Sequence, residues 1–170
     1  SNVRWSPDGN WIAFTSRVDA KADFAGVSLP DRPDGATWTT GPKIVERAGY
    51  KRDRSGYVDT GWTHLFMVPA EGGTARQLTS GDWNHNGVSW SPDGEEIYFT
   101  SYRTEDWAAP EHWQESDIYA VEIATGSIRR LTDDRGADTS PVPSPDGSLI
   151  AYISGDEHDD TYRNSRIHLM

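Results

Sequence analysis

Large apolar residues recur at every second position through several short stretches of this chain, the spacing of a half-buried strand. Ile12, Phe14 and Ser16 belong to one Ile-x-aromatic-x-Ser segment. Ile97, Phe99 and Ser101 form a second, and Ile150, Tyr152 and Ser154 a third. A helix would need apolar spacings of three and four, and 16 Gly with 10 Pro interrupt any long helical run. The same turn precedes each segment: Ser6-Pro7-Asp8-Gly9, Ser91-Pro92-Asp93-Gly94 and Ser144-Pro145-Asp146-Gly147. Pro is pre-set for the first central turn position, Asp suits the second, and Gly accepts the positive φ that closes a hairpin. Upstream stand Val3-Arg4-Trp5 and Val88-Ser89-Trp90, with Pro143 in place of Trp in the third copy.

A second hairpin module also repeats. His64 to Thr79 aligns without gaps to Asp117 to Thr132, each reading as strand, Gly-containing turn, strand; Arg166 to Met170 begins a third copy. The modules at 64 and 117 lie 53 residues apart, as do the turns at 91 and 144, whereas the turns at 6 and 91 lie 85 apart. The excess of 32 residues falls between Arg17 and Thr63, the counterpart of Tyr102 to Ser116. The predicted fold is therefore all-β: a β-propeller fragment of four-stranded antiparallel blades, about 2.6 of them, with a 32-residue insertion in the first. Blade one is expected over 1–80 with the insertion within 17–62, blade two over 84–133, and an incomplete blade three over 137–170. All are parts of one larger propeller domain, since closed propellers have about four to eight blades. Open blade edges predict self-association.

Composition changes the picture in three respects. Eight Trp, seven Tyr and four Phe in 170 residues argue against disorder. Trp5, Phe14, Trp90, Phe99 and Tyr152 hold fixed repeat positions and are expected in the core between blades; Trp11, beside the first turn, is expected to pack as well. No Cys is present, which excludes disulfides and thiol chemistry. The net charge of −11 argues against nucleic acid or an anionic membrane as a partner. No apolar run approaches the roughly eighteen residues of a spanning helix. The charge is uneven: Lys43, Arg47, Lys51, Arg52 and Arg54 face only Glu46 and Asp53 between 43 and 54, a local basic patch on an acidic chain.

Candidate chemistry is sparse. His64, His85, His112, His158 and His168 show no metal-ligand spacing, and the run Asp156 to Asp160 lacks the alternating ligands and turn Gly of a calcium loop. No metal and no cofactor are expected. Gly26-Val27-Ser28 and Gly87-Val88-Ser89 lack the closing Gly of a nucleophile elbow, so no catalytic residue is assigned.

The Trp-Ser-Pro-Asp-Gly turn followed by Ile-x-Phe-x-Ser resembles the repeat of TolB-like propellers. The stretch from Pro42-Lys43-Ile44-Val45-Glu46-Arg47 through Tyr57-Val58-Asp59 into His64-Leu65-Phe66 is similar to the propeller insertion of acylaminoacyl-peptidase-like members of the prolyl oligopeptidase family. That resemblance implies a non-catalytic propeller covering an α/β-hydrolase domain of the same parent chain, which carries the catalytic triad and makes the parent a serine peptidase. Short or N-acylated peptides would be the ligands, and the cytoplasm the location, with the periplasm as the alternative. Arg47, Tyr50, Arg52, Arg54 and Tyr57 are the substrate-binding candidates: Arg offers a planar fork to a peptide carboxylate and Tyr an amphipathic contact. The alternative function is a TolB-like propeller that binds protein partners and serves no hydrolase.

Overall fold

The structure, a computed structural model, describes residues 2–20, 31, 33–37, 50–54, 56–58, 60–103, 115–133, 136–156 and 164–170. Among them there is no helix. The first sheet holds β1 (Arg4–Trp5), β2 (Trp11–Val18), β5 (Trp62–Pro69) and β6 (Arg76–Gln77), while β3 (Lys51–Arg52) and β4 (Gly56–Tyr57) pair separately. The second sheet is β7 (His85–Trp90), β8 (Glu96–Ser101), β9 (Asp117–Glu122) and β10 (Ile128–Arg130). The third is β11 (Gly136–Pro143), β12 (Ile150–Asp156) and β13 (Arg166–Leu169). All neighbours within these sheets are antiparallel. They are successive blades of a β-propeller fragment, as the repeat predicts. Two compact units result: Ser1–Val18 with Trp62–Met170, and Asp19–Gly61. Strands β2 and β5 stay paired from Trp11↔Pro69 to Val18↔Trp62, so the blade closes on adjacent residues.

Each Ser-Pro-Asp-Gly turn is held by its serine, whose part the sequence reading did not anticipate. The Ser6, Ser91 and Ser144 hydroxyls accept the N–H of Trp11, Glu96 and Leu149 at 2.9, 2.9 and 3.0 Å. They donate to Asp8, Asp93 and Asp146 at 2.5, 2.5 and 2.6 Å. Each carboxylate also accepts the N–H two residues on, from Asn10, Glu95 or Ser148. These bonds stabilise the ionised form, so all three carboxyls titrate below their ordinary value, Asp146 at about 2. Gly9, Gly94 and Gly147 close the turns at φ 74, 76 and 72°. A Cβ added at Gly94 would lie 3.8 Å from Pro7, and one at Gly147 would lie 3.7 Å from Pro92, so successive turns touch.

A second recurring device is a left-handed residue at one position of each blade, which forms a bulge in the first strand of blades two and three. Asn2, Gly87 and Ser140 occupy one repeat position and share φ of 56, 59 and 56°. In blades two and three the ladder slips there, between Asn86 and Ser89 and between Thr139 and Val142. An extra unpaired residue bends and twists a strand, which a blade radiating from an axis requires.

The core lies between blades one and two. Ala13, Leu65, Met67 and Leu78 meet Val88, Trp90, Ile97, Phe99, Tyr119 and Val121. Phe14 stacks on Phe66 within blade one (5.6 Å) as Phe99 stacks on Tyr119 within blade two (5.7 Å). One expectation is corrected: Trp5 holds the repeat position of the buried Trp90, yet is 61% exposed. Trp90 packs on the preceding blade, and the described residues place no blade before Trp5.

Candidate functional site

Within Asp19–Gly61, the described hairpin pairs Lys51 with Tyr57 and Arg52 with Gly56. The Val58 N–H closes it onto the Tyr50 carbonyl at 2.8 Å. The Tyr50 and Tyr57 rings stack 6.1 Å apart and are both exposed, so two of the predicted ligand contacts form one aromatic surface. Arg54 sits in the turn at φ 68°, a left-handed conformation that non-glycine residues adopt at a cost of about 1–2 kcal/mol. Arg52 holds the register position opposite Gly56. Arg47 lies outside the described residues.

The blades carry a different constellation, one that sequence reasoning missed. His64 is the third residue of β5, the third strand of blade one, and His85 opens the first strand of blade two; their rings lie 5.3 Å apart. His85 is fully buried, and its Nδ1 lies 2.9 Å from the Thr63 carbonyl. A carbonyl only accepts, so Nδ1 carries the proton and Nε2 is left as an acceptor. Arg103 Nη2 donates to that Nε2 at 3.0 Å, and Arg103 Nε reaches the Ser101 hydroxyl at 3.4 Å. The guanidinium lies 4.7 Å from the Tyr119 ring centre and 5.8 Å from that of Phe99. Burial keeps His85 neutral, pushing its pKa down to about 4, with the Arg103 charge acting in the same direction. His64 is lowered by the same two causes, and Arg103 by burial.

At the next boundary the same two repeat positions hold carboxylates, Asp117 for His64 and Asp138 for His85. Arg130 donates to Asp117 at 2.8 Å, and Thr132 lies 3.4 Å away. Burial, reinforced by the Asp138 charge, raises Asp117 against these bonds. Asp138 is 1% exposed, and its Oδ2 has no hydrogen-bond partner among the described residues. No group of three or more potential metal ligands occurs among the described residues.

At the opposite, turn-bearing end, a cleft of ≈340 Å³ opens between the first two blades. Trp11, Met67, Pro69, Trp90 and Ile123 give it apolar walls, with Arg76 at its edge. Trp11 therefore packs only partly, remaining 37% exposed. Ser89 has a structural role: its hydroxyl donates to the Pro141 carbonyl at 2.7 Å, joining blades two and three.

Residues 36–155 match the profile described as the Dipeptidyl peptidase IV (DPP IV) N-terminal region. The uncharacterized protein Atu1656 of Agrobacterium fabrum is 30% identical over 156 residues, covering 88% of this chain and 49% of that protein. The uncharacterized peptidase YuxL of Bacillus subtilis is 31% identical over 122 residues, covering 71% of this chain and 17% of that protein. The chain thus spans about half the length of the first relative and less than a fifth of the second. TolB from Acinetobacter baumannii superposes with a TM-score of 0.55 at 18% identity, covering 98% of this chain and 28% of that one. An acylaminoacyl peptidase in complex with Z-Gly-Gly-Phe-chloromethyl ketone gives 0.59 at 13% identity, covering 99% and 23%. At these identities the two structures speak for the fold alone, a TolB-like propeller.

Proposed function

Because the chain belongs to the family of the dipeptidyl peptidase IV N-terminal region, we propose that it serves as the non-catalytic propeller of a serine peptidase. It gates and positions short or N-acylated peptides for an α/β-hydrolase domain carried by the parent polypeptide. The observation that carries this reading is the family match over 36–155, which covers part of the insertion, the last two strands of blade one, all of blade two and most of the third blade's first two strands. The stacked Tyr50 and Tyr57, exposed on a basic hairpin, supply a surface on which a peptide backbone and its carboxylate would rest.

The test has two arms. The 170-residue chain shows no turnover of acyl-amino-acid or dipeptide chromogenic substrates, while the parent polypeptide hydrolyses them. Turnover by the chain alone, abolished by a serine-directed fluorophosphonate, overturns the non-catalytic assignment. In the parent, Arg52→Ala with Arg54→Ala raises KM with little change in kcat, as expected for groups that bind substrate without joining the chemistry. A parent reading frame without a Gly-x-Ser-x-Gly elbow favours the second reading, a TolB-like interaction module.

A further inference from the structure

The blade repeat provides an internal control for what a blade requires. Arg103 stands where blade one has Val18 and blade three has Asp156. His64 stands where the later blades have Asp117 and Arg166, and His85 where blade three has Asp138. Blade packing therefore demands none of these three side chains. Yet the three deviating positions converge: His85 contacts His64 on one side and Arg103 on the other. Deviation from a repeat, concentrated at one contact cluster, marks a site rather than a scaffold.

We propose that Arg103 anchors a carboxylate-binding site at the boundary of blades one and two, with neutral His85 as its positioning residue. The guanidinium is oriented from two directions. The Tyr119 and Phe99 faces fix its plane, and the relay from the Thr63 carbonyl through His85 to Nη2 fixes its rotation within that plane. Nη2 and Nε are engaged, whereas Nη1 has no partner among the described residues. No carboxylate pairs with Arg103 among the described residues. Asp117, the acid on the neighbouring strand β9, is taken by Arg130. His85 accepts from Arg103 through Nε2 and therefore adds no second positive charge beside the guanidinium. A half-buried, preoriented guanidinium that no carboxylate pairs among the described residues suits a small planar anion that can accept from its remaining N–H groups.

That the carboxylate arrives on a peptide rests on the gating role proposed above; the site itself does not. The probes are acetate and N-acetyl-trialanine, the latter as free acid and as C-terminal amide. Binding to the chain is followed by calorimetry and by the Arg103 Nε–H and His85 imidazole resonances. The free acid is expected to bind at least tenfold tighter than the amide, and Arg103→Gln to erase that preference. His85→Ala weakens acid binding, and His85→Gln, whose amide oxygen accepts from Nη2, restores it without a change in unfolding midpoint. If Arg103→Gln fails to fold, Arg103→Lys keeps the charge but loses the fork, and must show a reduced preference. Equal affinity for acid and amide, or a preference that survives at position 103, overturns the site. Acetate shifting both resonances while neither peptide binds upholds the site and removes the peptide as its carrier. Silence towards acetate and both peptides overturns the proposal.

Discussion

The Trp90 indole donates its Nε1–H to the Arg4 carbonyl at 3.2 Å, a hydrogen bond from one blade to the backbone of the blade before it. The same ring is 7% exposed and belongs to the core cluster. Trp90→Ala should therefore destabilise the fold by about 3–5 kcal/mol, through cavity formation and loss of that bond. Trp5→Ala, at the same repeat position without a neighbouring blade, should stay within about 0.5 kcal/mol. Urea unfolding of the two variants checks the contrast, and equal losses would show that repeat position alone decides burial.

The bulge position predicts opposite effects in adjacent blades. A Cβ at Gly87 would come within 2.8 Å of the Thr100 hydroxyl and would sit on a residue with φ 59°. Gly87→Ala should cost about 2 kcal/mol or more, from left-handed strain and the displaced side chain. Ser140 already bears the strain at φ 56°, so Ser140→Gly should stabilise by roughly 0.5 kcal/mol after the added chain entropy. Thermal unfolding of both variants reads the two signs.

His85 sets a pH dependence whose sign follows from burial. Its folded pKa of about 4 lies below the ordinary 6.5, so between these values the unfolded chain takes up the proton first. Stability is then complete above pH 6.5 and falls as the pH drops towards 4, by on the order of 3 kcal/mol. Arg103 and His64 oppose protonation of the ring, while the Thr63 and Trp83 backbone favours it less strongly than burial disfavours it. Urea midpoints measured from pH 7.5 to 4.5 should decline, and His85→Gln should flatten the curve. A flat wild-type profile would contradict the assignment.

The Val18↔Trp62 pair predicts that the insertion is separable from the blade. Replacing Asp19–Gly61 by Asn-Gly supplies the two-residue turn that such a hairpin favours. The shortened chain should unfold cooperatively, its near-ultraviolet spectrum differing from that of the full chain only by the contribution of the deleted Trp38, Tyr50 and Tyr57 rings. Loss of the cooperative transition would mean that blade one depends on the inserted residues.

The blades were legible because their signals are local and repeated. Pro7, Asp8 and Gly9 each have a dihedral preference that survives in any context, and the recurrence of the turn at 91 and 144 fixes the period. The burial of Trp5 was not legible, because it depends on a neighbour that the repeat unit does not contain. Nor was the contact between Arg103 and His85, since Arg103 lies two residues past the end of β8 and the bulge at Gly87 shifts the register between β7 and β8. A signal for it existed in the chain, at the positions where aligned copies disagree. The predicted ligand residues divide along similar lines: Tyr50 and Tyr57 meet across a short hairpin, while Arg47 lies outside the described residues.

Pro7 faces Gly94 as Pro92 faces Gly147, so both steps between successive blades carry the same turn-to-turn spacer. A ring closes only if each step turns through the same angle, and any error at one step is carried into all later ones. Lengthening one turn by a residue would therefore disturb the step to the next blade as well as its own hairpin. This explains why the third copy can exchange Trp for Pro143 yet keeps Ser144-Pro145-Asp146-Gly147 unchanged. A side chain between blades can be repacked locally, but the spacer is shared geometry.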